Sequence, residues 1–451
     1  MFIKGESVMN LAAVKQLYDR LPYAFKAPFA KLLRRALLGH STYVEAYVQL
    51  QASDSWTPRE MEEAQFTLYK GTLIHAYEHT RYYRELFDSI GLNPYSVTSF
   101  ESLKHIPLLT RDILRERLDD IIADDGGEGF DVTTGGTSGN PLTLKMSNKA
   151  HFIEWAFIYH YWSKFGYNPE TSRLATFRGV KLGNTLSVIN PMYNEIRMNI
   201  YKMNHETIQK YVDAITKYGA DFIYGYPSAV YAFCKLAQEA RIDLQGRYKA
   251  VFLISENLYP HQKEKIQEVL GCPIAMFYRH TERAVFAGRF AEGYAFNKLY
   301  GITEISSKGE PIVTGFINKK TPLIRYVVDD VVTPAENGFY NIEGHRNSEV
   351  IYGKYGEEFR ASSIDFHGSL SEILPNYQFV QNAPGELIVR ALKSDYITEG
   401  KKQQVIELCQ KRLGNAFDVS VEVVPDLQYA ESKASRKYRL LIQNIKTGEK
   451  R

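Results

Sequence analysis

The stretch from 222 to 282 constrains the fold more than any other part of the chain. "FIYG" at 222–225 is short and apolar, and a helical pattern with apolar Val230, Phe233, Leu236 and Ala237 follows it. "KAVFLISEN" at 249–257 is a second apolar strand, running into Ser255 and Glu256. "PHQKEKIQEVLG" at 260–271 starts on proline and ends on Gly271, the usual asymmetry of a helix. "PIAMFYRHTE" at 273–282 is a third strand that ends in a polar cluster. Strand and helix alternating with short joins predict a parallel sheet covered by helices. Ligands of such sheets sit beyond the carboxyl ends of the strands. Two polar groups fall there: Ser255 with Glu256, and the run Tyr278, Arg279, His280, Thr281, Glu282.

Before this core, 58–92 is helical in pattern, and Thr110 is placed to cap an amphipathic helix in "IPLLTRDILRERLDD". Past Gly344 the texture changes to Gly-punctuated, charged sequence, followed by the strand patterns "YQFVQ", "GELIVRA" and "DVSVEVV" and a helix over about 398–413. The expected architecture is α/β. A large N-terminal domain (1–344, with a helical lead-in over 1–60) carries helix-covered, mainly parallel sheets, and a small α+β domain (345–451) follows.

With 451 residues, 44% hydrophobic and 24% charged, the chain supports sizeable cores. A net charge of +3 gives no argument for nucleic acid. Cys234, Cys272 and Cys409 are far apart, with neither metal-ligand spacing nor an even disulfide framework, which predicts a cytoplasmic protein. The segment 21–39 is basic with helical period; helices on anionic membranes share that pattern, and packing on the main domain is the favoured reading. The high aromatic content, 13%, is assigned to the core rather than to a ring-binding surface.

The loop in "TTGGTSGNPLTLKMS" (133–147) concentrates glycines and hydroxyls, the make-up of an anion-seeking nest. It is neither a Walker loop, which needs Gly-Lys-Ser/Thr and a following helix, nor a dinucleotide loop, which also opens a helix. The alternation after Pro141 predicts strand–loop–strand instead.

This loop, the Tyr-x-x-Thr-Glu run at 278–282, "TPLIRYVVDD" at 321–330 and a late lysine in "ASRKYRLLIQ" stand in the order found in the adenylate-forming superfamily. Within it the chain most resembles the branch of phenylacetate–CoA ligase and the capsular polysaccharide biosynthesis protein CapK. "YGYPSAVY", "ISENLYPHQKEKIQEVLG" and "HTERAVFAG" add to that likeness, which spans about 80–444. The resemblance implies that Thr134, Gly135, Gly136, Thr137, Ser138 and Gly139 close over the phosphates of ATP. Tyr278 would stack on adenine, Thr281 would meet the α-phosphate and Glu282 would hold Mg2+, a hard ion suited to one carboxylate plus phosphate oxygens. Ser255 and Glu256 would border the nucleotide. Asp330 would bind the ribose hydroxyls, Arg346 would open the hinge between domains, and Lys437, with Lys433 as fallback, would offset charge on the transferring phosphoryl group. His280, Arg178 and Tyr226 are candidates for the substrate side, with Lys181 beside Arg178. Four positions depart from the family: Leu142 for a lysine after the loop, Arg279 for glycine, Ser348 for Asp or Lys, and Arg436 for glycine. A second match, "YGITE" at 300–304, is textually cleaner, but 278–282 is preferred because it follows the strand after Ser255 and Glu256.

The implied activity is ATP- and Mg2+-dependent adenylation of a small-molecule carboxylic acid, followed by transfer to a thiol, amine or hydroxyl, a sugar included, in surface polysaccharide biosynthesis. Ligation to CoA is the runner-up, AMP transfer to a hydroxyl a third variant, and a non-catalytic scaffold the contrasting class. The acid, the acceptor and the oligomeric state, a dimer included, stay open.

Overall fold

The computed structural model describes residues 34–133, 142–178, 182–256, 258–328, 330–343, 350–360, 370, 373–374, 377–427, 429–431, 436–438 and 441–445. Residues 34–38 are helical and lead into helices Ser41–Ser53, Pro58–His79 and Arg81–Ser89. The helical reading of 58–92 breaks at Thr80, whose extended backbone ends one helix while its hydroxyl accepts from the Tyr83 amide to start the next. Thr57 and Glu60 cap each other's amides at the start of Pro58–His79. Thr110 caps Arg111–Glu116 as expected, accepting from the Ile113 amide at 3.3 Å. The amphipathic pattern beyond divides at Arg117 into a further short helix, Leu118–Ile121.

Next come β1 (Gly129–Thr133), β2 (Thr143–Ser147), the helix Asn148–Ser163, β3 (Leu174–Phe177), β4 (Ser187–Asn190), β5 (Glu195–Met198) and the helix Ile208–Tyr218. The alternation read from the sequence follows as β6 (Phe222–Gly225), helix Pro227–Glu239, β7 (Ala250–Leu253), helix Pro260–Leu270 and β8 (Ile274–Arg279). Gly271 takes a left-handed φ of +61° just past its helix, the conformation glycine adopts without strain. Short strands β9 (Phe286–Arg289), β10 (Tyr294–Phe296), β11 (Gly301–Ile305), β12 (Pro311–Gly315), β13 (Tyr326–Val327), β14 (Val331–Pro334) and β15 (Tyr340–Glu343) complete this part.

Among the described residues the largest sheet has ten strands in the order β14-β15-β10-β9-β8-β7-β6-β3-β5-β4. Strands β5, β3, β6, β7 and β8 run parallel, as the alternating pattern requires. Strands β9, β10, β14 and β15 extend one side antiparallel, and β4 closes the other. The parallel strands are buried along their length, with Phe222, Ile223, Val251, Phe252 and Leu253 at 0% exposure. Chain order reverses at β3, which pairs with β5 on one side and β6 on the other.

Among the described residues many of the aromatic side chains are in the core, while Tyr355 and Tyr396 are exposed. Trp162 stacks on Phe252 at 4.4 Å between ring centroids, and Tyr167, Phe222 and Phe277 surround them. A second cluster lies between the helices of 58–121 and strands β12 and β13, and includes Leu142. The third is drawn from Ile351 to Leu441. Its elements are β16 (Val350–Tyr352), β17 (Glu358–Arg360), β18 (Tyr377–Gln381), β19 (Glu386–Leu392), helix Glu399–Leu413, β20 (Asp418–Val424), β21 (Tyr429–Glu431), β22 (Arg436–Tyr438) and β23 (Leu441–Gln443). Strands β20, β19, β18 and β23 form a mixed sheet, and Thr398 caps the helix that joins β19 to β20. Among the described residues no helix is long and apolar enough to cross a membrane.

Candidate active site

The polar run after β8 is held in place by what packs beneath it. The Arg283 amide donates to the His280 carbonyl at 3.1 Å, and Arg283 takes a left-handed φ of +55°, so the chain turns back at once into β9. Glu154, from the middle of Asn148–Ser163, reaches this turn and is itself only 4% exposed. Its two oxygens accept from Arg279 Nη1 at 3.1 Å and Arg283 Nε at 2.9 Å. The arginine that stands in place of a family glycine is therefore half of a clamp on one buried carboxylate. That clamp fixes the backbone on either side of Thr281 and Glu282. The charge of Glu154 raises the Arg279 pKa, so this guanidinium stays charged.

Asp330 enters from the connection between β13 and β14 and is 1% exposed. Its Oδ2 accepts from the Tyr278 hydroxyl at 2.6 Å and lies 2.8 Å from His280 Nε2. The Tyr278 and His280 rings meet edge to face at 4.7 Å. Burial pushes the Tyr278 phenol well up, and the Asp330 charge adds to this, so Tyr278 remains a donor. Burial opposes an imidazolium at His280, but the hydrogen bond and charge of Asp330, with the charge of Glu282, raise its pKa overall. The sequence thus brings three of its predicted site residues, Tyr278, His280 and Asp330, into one hydrogen-bonded group, although His280 and Asp330 are 50 positions apart.

Glu282 is 8% exposed, and among the described residues no hydrogen bond or ion pair engages its carboxylate. Thr281 beside it is exposed. The carboxylate of the textual competitor, Glu304 on β11, is occupied: Arg325 holds it with Nη2 at 2.9 Å and Nε at 3.0 Å, a bidentate pair. A buried carboxylate without a protein partner suits a divalent cation that shares its charge with phosphate oxygens. The Glu282 carboxylate is unengaged among the described residues, and that of Glu304 is not.

Along the neighbouring strand ends, Ser255 is exposed and takes a left-handed φ of +66° just after β7. Glu256 Oε2 accepts from the Ser228 amide at 3.1 Å, which satisfies one of the open donors at the start of Pro227–Glu239. Tyr226 directly follows β6 and is 2% exposed. Arg178 directly follows β3, with its guanidinium carbon 5.5 Å from the centroid of the Tyr224 ring. Below it Glu195 is buried and accepts from Thr176, Asn190 and Arg197 at 2.6–2.7 Å.

Residues Thr134, Gly135, Gly136, Thr137, Ser138 and Gly139, with Lys181, Arg346, Ser348 and Lys433, lie outside the described residues. The loop's flanks do form the expected strand–loop–strand: β1 and β2 pair antiparallel from Gly129↔Ser147 to Thr133↔Thr143. Lys145, on β2, pairs with Asp131 across this hairpin at 2.7 Å. Lys437 and Arg436 lie on β22, paired with Ala430 and Glu431 of β21. The residue that sequence reasoning missed is Glu154. Its signal was a single carboxylate inside the otherwise apolar and aromatic run "HFIEWAFIYHYW".

No family model matches the chain. The protein CapK of Staphylococcus aureus is 22% identical over 265 residues, which is 56% of this chain and 59% of CapK's length. A 2-hydroxyisobutyryl-CoA ligase, solved in its postadenylation state with R3-HIB-AMP, superposes with a TM-score of 0.62 at 18% identity, over 86% of this chain and 90% of that one. The GH3.15 acyl acid amido synthetase superposes with a TM-score of 0.52 at 12% identity, over 81% of this chain and 86% of the other. The chain thus shares its fold with a CoA ligase and an acyl acid amido synthetase, and a partial sequence likeness with CapK.

Proposed function

We propose that the chain activates a small-molecule carboxylic acid with ATP, forming an acyl-adenylate and releasing pyrophosphate, and then passes the acyl group to an acceptor. The observation that carries this reading is the buried, unengaged Glu282 carboxylate beside an Asp330 that Tyr278 and His280 hold. In this reading Mg2+ at Glu282 supplies positive charge against phosphate oxygens. Asp330 orients a ribose diol, Thr281 donates to the α-phosphate, and Tyr278 presents a ring edge fixed by its bond to Asp330. The Glu154 clamp holds these groups still, and positioning of this kind is a large part of catalysis in phosphoryl and nucleotidyl transfer. Residues 134–139 cover the phosphates, and Lys437 reaches the transferring group from a C-terminal domain that begins near 344–350, with Arg346 at the hinge.

The likeness to CapK supports a role in surface polysaccharide biosynthesis, with a sugar amine or hydroxyl as acceptor, and the three scattered cysteines support a cytoplasmic setting. The fold shared with a CoA ligase and an acyl acid amido synthetase supports transfer to a thiol or an amine equally. The test is ATP–pyrophosphate exchange with Mg2+ across aryl, fatty, amino, sugar and dicarboxylic acids, with Glu282→Ala as control. Exchange with one acid, lost in the folded variant, is the expected result. Exchange that survives in Glu282→Ala overturns the assignment of the metal ligand. Silence across the panel in protein that binds ATP overturns acid adenylation in favour of AMP transfer to a hydroxyl.

A further inference from the structure

The order of strands reverses at β3, and the residues that follow the two strands on either side of that reversal, β3 and β6, are Arg178 and Tyr226. The carboxyl ends of strands at such a reversal are where open α/β sheets receive ligands. The last residues of the two strands, Phe177 and Gly225, are paired in register, so Arg178 and Tyr226 leave the sheet side by side.

Arg178 has the chemistry of a receiver rather than of a structural pair. Its Nε is shielded from water and has no hydrogen-bond partner, and no ion pair to its guanidinium is found among the described residues. The carboxylate nearest in charge, Glu195, is already taken by Thr176, Asn190 and Arg197, all at 2.6–2.7 Å. What Arg178 does have is the face of Tyr224 and the charge-favouring neighbourhood of Tyr226, a neutral group that supplies no counter-charge and leaves Nε without a partner. Arg279, on the turn that carries Thr281 and Glu282, also acts on Tyr224 and opposes the charge of Arg178, so a second cation stands near the first. A guanidinium is a planar fork matched to carboxylate or phosphate. A shielded one with no anion beside it among the described residues has the character of an unfilled half of such a pair.

We propose that the acid activated by this chain carries a second anionic group, remote from the reacting carboxyl, and that Arg178 receives it with Tyr226 beside it. The inference rests on the adenylation reading for the reacting end only; the remote anion site stands on Arg178 itself. The side chains next to Arg178 at these strand ends, Phe177, Tyr224 and Tyr226, are aromatic and buried.

The test pairs dianionic acids with their singly charged counterparts: succinate, glutarate and adipate against their monomethyl esters, glucarate against gluconate, and 3-phosphoglycerate against glycerate. Binding is read by calorimetry and turnover by ATP–pyrophosphate exchange, in wild type, Arg178→Met and Arg178→Lys. The expected result is that a dianionic member binds at least tenfold more tightly than its partner. Arg178→Met erases this preference, Arg178→Lys keeps part of it, and the KM for ATP is unchanged. A preference for a carboxylate over a phosphate, or the reverse, names the source of the anion. If exchange is silent but dianion binding is lost in Arg178→Met, the adenylation reading fails and the anion site stands. Equal binding of every pair in wild type overturns the proposal, as does an Arg178→Met variant that weakens both members equally. If Arg178→Met does not fold, Arg178→Lys and Tyr226→Phe carry the same comparison.

Discussion

Replacing Glu154 by glutamine tests the clamp beneath the candidate active site. Glu154 is 4% exposed and holds two guanidinium groups, of which the Arg283 side chain is 10% exposed and the Arg279 side chain 34%. Removing one member of a buried ion pair costs about 3–5 kcal/mol, because the other charge is left desolvated and unmatched. Only Arg283 is buried deeply enough for that full range. The Arg279 pair is partly screened by water and adds no more than about 1 kcal/mol. Glutamine keeps the volume and one acceptor oxygen, which recovers roughly 1 kcal/mol as an ordinary hydrogen bond. The net expectation is a loss of about 3 kcal/mol, a large part of the roughly 5–15 kcal/mol that holds a domain folded. Urea unfolding followed by tryptophan fluorescence measures it, since Trp155 and Trp162 lie on the same helix as Glu154. The double variant Glu154→Leu/Arg283→Leu replaces the buried pair by apolar groups and should recover more than half of the loss, since such swaps are often neutral. A loss below about 1 kcal/mol in Glu154→Gln, or a double variant less stable than the single, refutes the reasoning.

Gly225→Ala should destabilise the sheet by at least about 1–3 kcal/mol, since an added Cβ would lie 2.3 Å from the Phe177 carbonyl oxygen, a backbone atom fixed by the β3–β6 register; thermal unfolding checks this, and a variant as stable as wild type contradicts it. Glu195 gives a pH signature. Burial alone would raise its pKa, but the charge of Arg197 and the hydrogen bonds of Thr176, Arg197 and Asn190 hold it below the ordinary 4.5. A depressed carboxylate contributes stability that is present above its unfolded pKa and lost as pH falls through the folded value. The stability gap between wild type and Glu195→Gln, measured by urea unfolding at stepped pH, should therefore be full near neutrality and shrink below about pH 4; a gap that widens in acid would contradict the sign. All three cysteines are buried, and burial pushes the Cys272 thiol up to about 11. A disulfide-exchange reagent at neutral pH should label none of them in native protein and all three in urea, and rapid native labelling of Cys234 or Cys272 would show that the core around β7 and β8 opens.

The elements legible in the sequence were those specified by neighbours along the chain. Thr110 and Thr398 cap helices through amides three residues on, and Gly271 ends its helix through its own backbone freedom. Strands β6, β7, β8, β18, β19 and β20 are short apolar or alternating runs bounded by turn residues, so they too could be read locally. What could not be read was which distant strands complete the sheet. β14 and β15 join β10 through pairings such as Tyr294↔Tyr340, and nothing in either strand names its partner. The site divides in the same way. Tyr278, His280 and Asp330 were found because motif order places them, whereas Glu154 stands 125 positions from Arg279 and belongs to no motif. A buried charge is visible in sequence only as an exception to an apolar pattern, and the exception does not say which partner satisfies it.

Glu256 couples two neighbouring strand–helix units, because its side chain, at the end of β7, caps the helix that follows β6. That arrangement makes ligand affinity and helix integrity compete for the same atom. A ligand group that draws the Glu256 carboxylate away from this position leaves the Ser228 amide unmatched, at about 1–3 kcal/mol, so roughly one to two orders of magnitude in affinity are withheld unless the ligand offers that amide an acceptor of its own. An anionic oxygen at this point would do so. The crevice thereby discriminates between ligands by whether they can replace the capping group as well as bind it.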